Sequence, residues 1–231
     1  MTSFTFYNPG SDLTGVVETA RRLSVSCVEL DESFLNTDPQ QLLCARYEDG
    51  LRYACLRLQG TPSSYAADDL TRIGRWCEAN YVEAIVFVSP GDSAERVVEV
   101  LNVLDCFRLK IVFANVNGSF LSKPDDIAAF FRAHNNAYLY YDPAQMVSQR
   151  THPFLSALNG QTYRRRLFMV RAEDRRFNGE AALPAQGDAE LAEICSSAAA
   201  FGLEMYVSLQ PYGGFGLDEI KTAMCAVMCK I

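Results

Sequence analysis

Tyr138-Leu139-Tyr140-Tyr141-Asp142-Pro143-Ala144-Gln145 is an apolar, β-prone run that ends abruptly in an acid, a proline and an amide. Aromatic residues suit a half-buried pleated surface and proline cannot continue one, so the run reads as a strand that delivers polar side chains to one rim of a sheet. A second run, Arg166 to Val170, repeats the plan and leads into Arg171, Ala172, Glu173 and Asp174. Two strands thus bring charge to what the pattern places at one mouth.

Working outward from these runs, the same unit recurs along the chain. Strands are expected to begin near positions 4, 26, 53, 83, 110, 137, 166 and 203, and six of the seven intervals span 22 to 30 residues. Between them fall helical patterns: from Ser11 or Asp12 to Leu23, from Asp38-Pro39 to Asp49 with Gly50 as a stop, and from Ala66 to Asn80. Others run from Ser93 to Cys106, from Lys123-Pro124 to His134, from His152 to Tyr163, from Asp188 to Phe201, and from Leu217 onward. Steady strand–helix alternation makes a parallel sheet with right-handed crossovers, and eight units close a (β/α)8 TIM barrel. An open doubly wound sheet is the alternative, but no Gly-x-Gly-x-x-Gly follows the first strand. The seventh interval is longer because residues 172–187 run on before the next helix, and this stretch is a candidate lid.

With 231 residues, 49% of them hydrophobic, the chain can bury a large core, and one domain spanning 1–231 is the expectation. A net charge of −7 argues against a nucleic-acid or anionic-membrane surface, since both need clustered Lys and Arg. The one basic cluster, Arg164 to Arg166, reads as a solvated helix end. The 8 cysteines include no Cys-x-x-Cys pair, and Cys225 and Cys229 fall on one helix face, where packing is the expected role. A reducing, cytoplasmic location is expected, with no membrane span, while a homo-oligomer stays open.

Several stretches resemble motifs of the sugar-phosphate isomerase/epimerase superfamily, the xylose-isomerase-like TIM barrels that include the endonuclease IV fold. Ser26-Cys27-Val28-Glu29-Leu30 is similar to the family's gVEL strand, Ala114-Asn115-Val116-Asn117-Gly118 to its ENHxG, and Asp142-Pro143-Ala144-Gln145 to its DPGH. Arg171-Ala172-Glu173-Asp174 resembles its HLKD, Pro184 to Asp188 the glycine-rich turn before the seventh helix, and Leu209-Gln210 its final LE. The resemblance implies a sugar or sugar-phosphate substrate and a divalent cation held by Glu, Asp, His and Glu at the C-terminal mouth. Here those positions hold Ala114, Gln145, Arg171 and Gln210, and of the ligands only Asp142 persists. Glu29 also persists, although its role in the family is less uniform.

Alanine offers no ligand, the amides offer only neutral oxygens, and Arg171 brings a permanent positive charge that repels a cation. No metal or other cofactor is therefore expected, and an abasic-site nuclease, which needs the metal, is disfavoured. Neither histidine, His134 or His152, reaches the mouth.

Strand alternation then assigns faces. Ala54, Leu56 and Leu58 go to the helix layer, and Cys55, Arg57 and Gln59 go inside. Leu167, Met169, Arg171 and Glu173 share an inner face, as do Tyr138, Tyr140 and Asp142, with Cys27, Glu29, Ser208 and Gln210 alongside. Two readings follow for this set. In one, Arg57, Asn115, Asp142, Gln145, Arg171 and Gln210 bind a small polar or anionic, sugar-like molecule, with Glu29 and Glu173 as the acids available to move a proton beside a carbonyl. In the other, the arginines close the mouth in ion pairs and the barrel is a structural or oligomerising protein.

Overall fold

The computed structural model describes residues 2–91 and 93–230. Eight parallel strands close into a barrel in the order β1-β10-β7-β6-β5-β4-β3-β2. They are β1 (Thr2–Phe6), β2 (Cys27–Asp31), β3 (Arg52–Leu58), β4 (Ala84–Phe87), β5 (Lys110–Ala114), β6 (Ala137–Tyr141), β7 (Leu167–Arg171) and β10 (Met205–Leu209). Each begins within 2 residues of its expected start. Closure joins the first strand to the last, because β1 pairs with β10 over Thr2 to Phe6.

The helices α1 (Leu13–Leu23), α2 (Pro39–Glu48), α3 (Ala67–Ala79), α4 (Glu95–Leu104), α5 (Pro124–Ala133), α7 (Leu191–Ala200) and α8 (Leu217–Met228) form the outer layer. Local chemistry sets their starts. Asp12 caps α1 by accepting from Gly15 N at 2.9 Å, and Asp38 caps α2 by accepting from Gln40 N at 3.0 Å, with Pro39 in the first turn where its missing N–H costs nothing. α7 starts three residues later than expected, because Glu190 sits at φ +50° and breaks the helical path.

The core has two parts. Between strands and helices lies a continuous apolar layer that includes Leu30, Leu56, Phe87, Phe113, Leu139 and Val207. A smaller cluster fills the barrel itself: Cys27, Cys55, Val86, Val112, Tyr140, Met169 and Tyr206. Two expected facings are corrected here. Ala54 lies in the inner cluster and Leu167 in the outer layer. In each case a β-bulge is the cause: the register steps from Val28↔Tyr53 to Glu29↔Cys55, and from Leu139↔Leu167 to Tyr140↔Met169. A bulge inserts one extra residue, so strict alternation fails across it.

The expected helix over 152–163 is also corrected. Its place is taken by α6 (Pro143–Ser148), a wide turn at Pro153–Leu158 and a tight turn at Thr162–Arg166. Pro143 and Pro153 each start an element, and Gly160 at φ +74° separates the last two. The carboxylate of Glu190, arriving from outside, accepts from the N–H groups of Phe154 and Leu155. Arg166 is not solvated: it donates to the carbonyls of His134 and Phe131, closing the C-terminus of α5. Cys225 is half-buried and Cys229 exposed, so that pair does not line a packed face together.

The long segment after β7 carries a small antiparallel hairpin, β8 (Asp174–Arg175) with β9 (Ala181–Ala182). Asp174, fully buried, anchors it by accepting from Gly187 N at 3.0 Å and Ala189 N at 2.9 Å. Tyr212, in the loop after β10, donates to Ala182 O at 2.7 Å and accepts from Asp174 N at 3.3 Å. A side chain at Gly187 would meet Asp174 Oδ1 at 2.4 Å and Arg175 O at 2.6 Å, so only glycine permits this closure.

Candidate functional site

Of the eight residues singled out from the sequence, Arg57, Asn115, Asp142, Arg171, Glu173 and Gln210 stand at the C-terminal ends of strands or just after them, Glu29 stands midway along β2, and Gln145 lies in α6. In a barrel of this kind that end is where catalytic and binding groups gather. They fall into three connected groups.

The first is the pair of Arg57 with Glu29. Nη1 of Arg57 donates to Oε2 of Glu29 at 2.6 Å, with the side chains 8% and 0% exposed. The guanidinium lies 4.3 Å from the ring centroid of Tyr7 and 5.6 Å from that of Tyr140, so aromatic faces take over part of its lost hydration. Burial alone would lower the proton affinity of Arg57, and the oxygens of Tyr140 and Glu29 reverse that. Among the described residues, Nε of Arg57, Oε1 of Glu29 and Oγ1 of Thr5 are buried without a hydrogen-bond partner.

The second group centres on Arg171, 24% exposed in its side chain. It bridges Oδ2 of Asp142 at 3.0 Å and Oε2 of Glu173 at 2.6 Å. Arg175, at 41%, binds the other oxygen of Glu173 through Nε at 2.8 Å. Asp142 also caps α6, accepting from Ala144 N at 3.0 Å, and receives Gln145 Nε2 at 3.5 Å. Burial pushes the Asp142 carboxyl above its ordinary range, with Arg171 opposing the shift. Asn115 clamps this strand end in both directions: Nδ2 donates to Asp142 O at 2.9 Å and Oδ1 accepts from Asp142 N at 2.6 Å. Gln145 Oε1 accepts from Asn117 N at 3.2 Å.

The third is a buried polar relay. Gln210 Nε2 donates to Ser208 Oγ at 2.7 Å and to the hydroxyl of Tyr140, which itself lies 3.4 Å from Ser208 Oγ. Because the Tyr140 ring also flanks Arg57, this relay stands against the first pair.

Among the described residues, no three His, Cys, Asp or Glu side chains are grouped as a metal ion needs. The histidines lie elsewhere: the ring of His134 is 4.6 Å from that of Phe130, and His152 Nδ1 lies 3.1 Å from Glu190. Two contributors went unnoticed in the sequence: Tyr7 and Arg175. Tyr7 sits one residue past β1, and its hydroxyl donates to Asp31 Oδ2 at 3.3 Å. Thr5 and Tyr7 share a face by strand alternation, which was the one cue to its inward position; nothing in the spacing of 172–187 marks Arg175.

The closed parallel barrel, its charged C-terminal mouth and its outer helices define a xylose-isomerase-like TIM barrel fold. Solved structures agree. The chain superposes on the probable 3-DHS dehydratase AsbF of Bacillus anthracis with TM-score 0.75 at 10% identity, covering 98% of both chains. The 3-keto-D-glucoside 4-epimerase YcjR of E. coli gives 0.74 at 11% identity, covering 99% of this chain and 98% of that one. A xylose isomerase-like TIM barrel protein from Mycobacterium smegmatis, in complex with magnesium, gives 0.73 at 11%, covering 98% and 95%. No protein-family model matches the sequence, and no curated protein matches it. At these identities the likeness is one of fold, and fold does not assign chemistry.

Proposed function

We propose that this barrel binds a small polar or anionic, sugar-like molecule at its C-terminal mouth and does so without a divalent metal. The observation that supports this most directly is the bridge of Arg171 between Asp142 and Glu173. A guanidinium occupies the carboxylate that would otherwise receive a cation, and it cannot deprotonate to make way. The residue set does not fit a hard divalent ion, which wants several anionic oxygens free to converge. The resemblance to sugar isomerases and epimerases supplies the substrate class, and neighbours of this fold include a 3-keto-D-glucoside epimerase. Arg171 and Arg175, both partly exposed, are the cationic groups within reach of such a ligand. Of the two acids read as proton carriers, Glu173 has both oxygens engaged by arginine, whereas Glu29 keeps Oε1 unpartnered.

A second reading, a structural barrel with a mouth closed by ion pairs, is favoured by one observation: the Arg57–Glu29 pair is almost wholly buried. The two readings separate in a calorimetric titration with simple sugar phosphates and sugar acids. Ligand binding predicts a saturable isotherm that weakens as ionic strength rises, and a loss of about tenfold or more in affinity, ~1.4 kcal/mol, in Arg171→Gln. Absence of binding across both ligand classes would favour the structural barrel.

We also take the chain as one domain, because β1 and β10 close the barrel across its whole length. All eight cysteines are free thiols, which supports a reducing cytoplasmic setting. Among the described residues no helix is long and apolar enough to cross a membrane.

A further inference from the structure

The opposite end of the barrel holds a second polar cavity. It measures about 220 Å³, and its lining includes Ser3, Arg52, Glu83, Lys110, Glu204 and Tyr206. These residues stand at or near the N-terminal ends of β1, β3, β4, β5 and β10, so they ring the barrel axis. In this architecture that end ordinarily serves stability.

Part of the ring is a strap. The hydroxyl of Tyr206 donates to both oxygens of Glu83 at 2.9 Å, and Arg52 Nη2 donates to Glu83 Oε1 at 3.0 Å. β10 and the start of β4 lie on opposite sides of the closed sheet, so this contact spans the floor. Arg52 thereby neutralises Glu83 and leaves its carboxylate saturated. Lys110 is different. Its Nζ lies 5.1 Å from the centroid of Phe168 and 5.7 Å from that of Tyr138, half-buried between ring faces. Among the described residues it enters no ion pair, while the other carboxylate of the lining, Glu204, is exposed and also enters none. Aromatic faces attract a cation without cancelling its charge, so Lys110 stays a positive centre without an anionic partner inside the cavity, while the one unpaired acid of the lining, Glu204, is exposed to solvent.

We propose that this floor cavity is an anion site: it takes a small oxyanion, of phosphate or carboxylate chemistry, on Lys110 and the exposed edge of Arg52, with Ser3 as a hydroxyl partner. The volume of about 220 Å³ accommodates an ion of a few heavy atoms. The site lies at the opposite end of the barrel from the mouth, so it stands independently of the function proposed there.

The test uses the intact chain, inorganic phosphate and acetate as separate probes, and chloride to hold ionic strength constant. Only four lysines, Lys110, Lys123, Lys221 and Lys230, are present, so reductive methylation followed by peptide mass spectrometry reads each one. The expected result is a saturable slowing of Lys110 methylation, with the other three unaffected, and loss of the corresponding calorimetric isotherm in Lys110→Met. Protection by phosphate alone would identify a tetrahedral oxyanion, and protection by both a carboxylate-tolerant site. Unchanged Lys110 reactivity with either probe overturns the proposal, as does an isotherm that Lys110→Met leaves intact. If that variant fails to fold, the methylation result on the native chain decides alone.

Discussion

Arg57→Ala is expected to lower the stability of the fold by about 3–5 kcal/mol, the usual cost of leaving one member of a buried ion pair without its partner. The expectation rests on Glu29, whose side chain is 0% exposed and whose Oε2 is held by Arg57 at 2.6 Å. Once the guanidinium is gone the carboxylate must either stay charged in an apolar wall or take up a proton. The pair is also imperfectly satisfied, since Nε of Arg57 and Oε1 of Glu29 are buried without partners. Replacing both residues by apolar ones of similar volume, Glu29→Leu with Arg57→Met, is therefore expected to recover most of the loss. Urea unfolding of the two variants reads this as a fall and then a recovery of the midpoint at unchanged slope. A loss under about 1 kcal/mol for Arg57→Ala would mean that the pair is solvated, in the range of a surface bridge.

The second large effect is expected at the hairpin that follows β7. Asp174→Ala removes the acceptor for Gly187 N and Ala189 N, two backbone donors that close residues 174–189 into one piece. Each buried donor left unsatisfied costs about 1–3 kcal/mol, so the hairpin should come loose before the barrel does. Burial raises the Asp174 carboxyl while the backbone N–H groups around it oppose that shift, so these donors are what hold the group in place. Amide exchange would show it as lost protection confined to residues 174–189 and the Tyr212 loop, with β1 to β6 unchanged. Equal loss of protection throughout the barrel would show instead that Asp174 supports the global fold.

How much of this was legible in the sequence depends on the kind of signal. Strand starts were readable because each strand is a short apolar run stopped by a charged or turn residue, as with Tyr141-Asp142-Pro143. The charged mouth was readable for the same reason: Asp142 and Arg171 stand where those runs end. Facing was readable only between bulges. One extra residue at Ala54 or Phe168 changes parity without changing composition, so Ala54 and Leu167 were assigned to the wrong sides. Partner choice was not readable at all. Arg57 takes Glu29, and Arg171 takes Asp142 and Glu173, through tilt and stagger of the closed sheet, which no local pattern encodes. The expected helix over 152–163 is interrupted at Gly160, whose φ of +74° lies in the left-handed region and separates Pro153–Leu158 from Thr162–Arg166.

The central claim is that arginine, not a divalent cation, meets the carboxylates of the mouth. Elemental analysis of the purified protein after incubation with Mn2+, Mg2+ and Zn2+, paired with thermal unfolding of the same samples, tests it most directly. The ion pairs of Arg57 and Arg171 predict substoichiometric metal and an unchanged midpoint with all three ions. One equivalent of bound metal with a raised midpoint would contradict the account, since it requires Asp142 to exchange its guanidinium for a cation, and it would restore metal-dependent sugar isomerisation as the leading function.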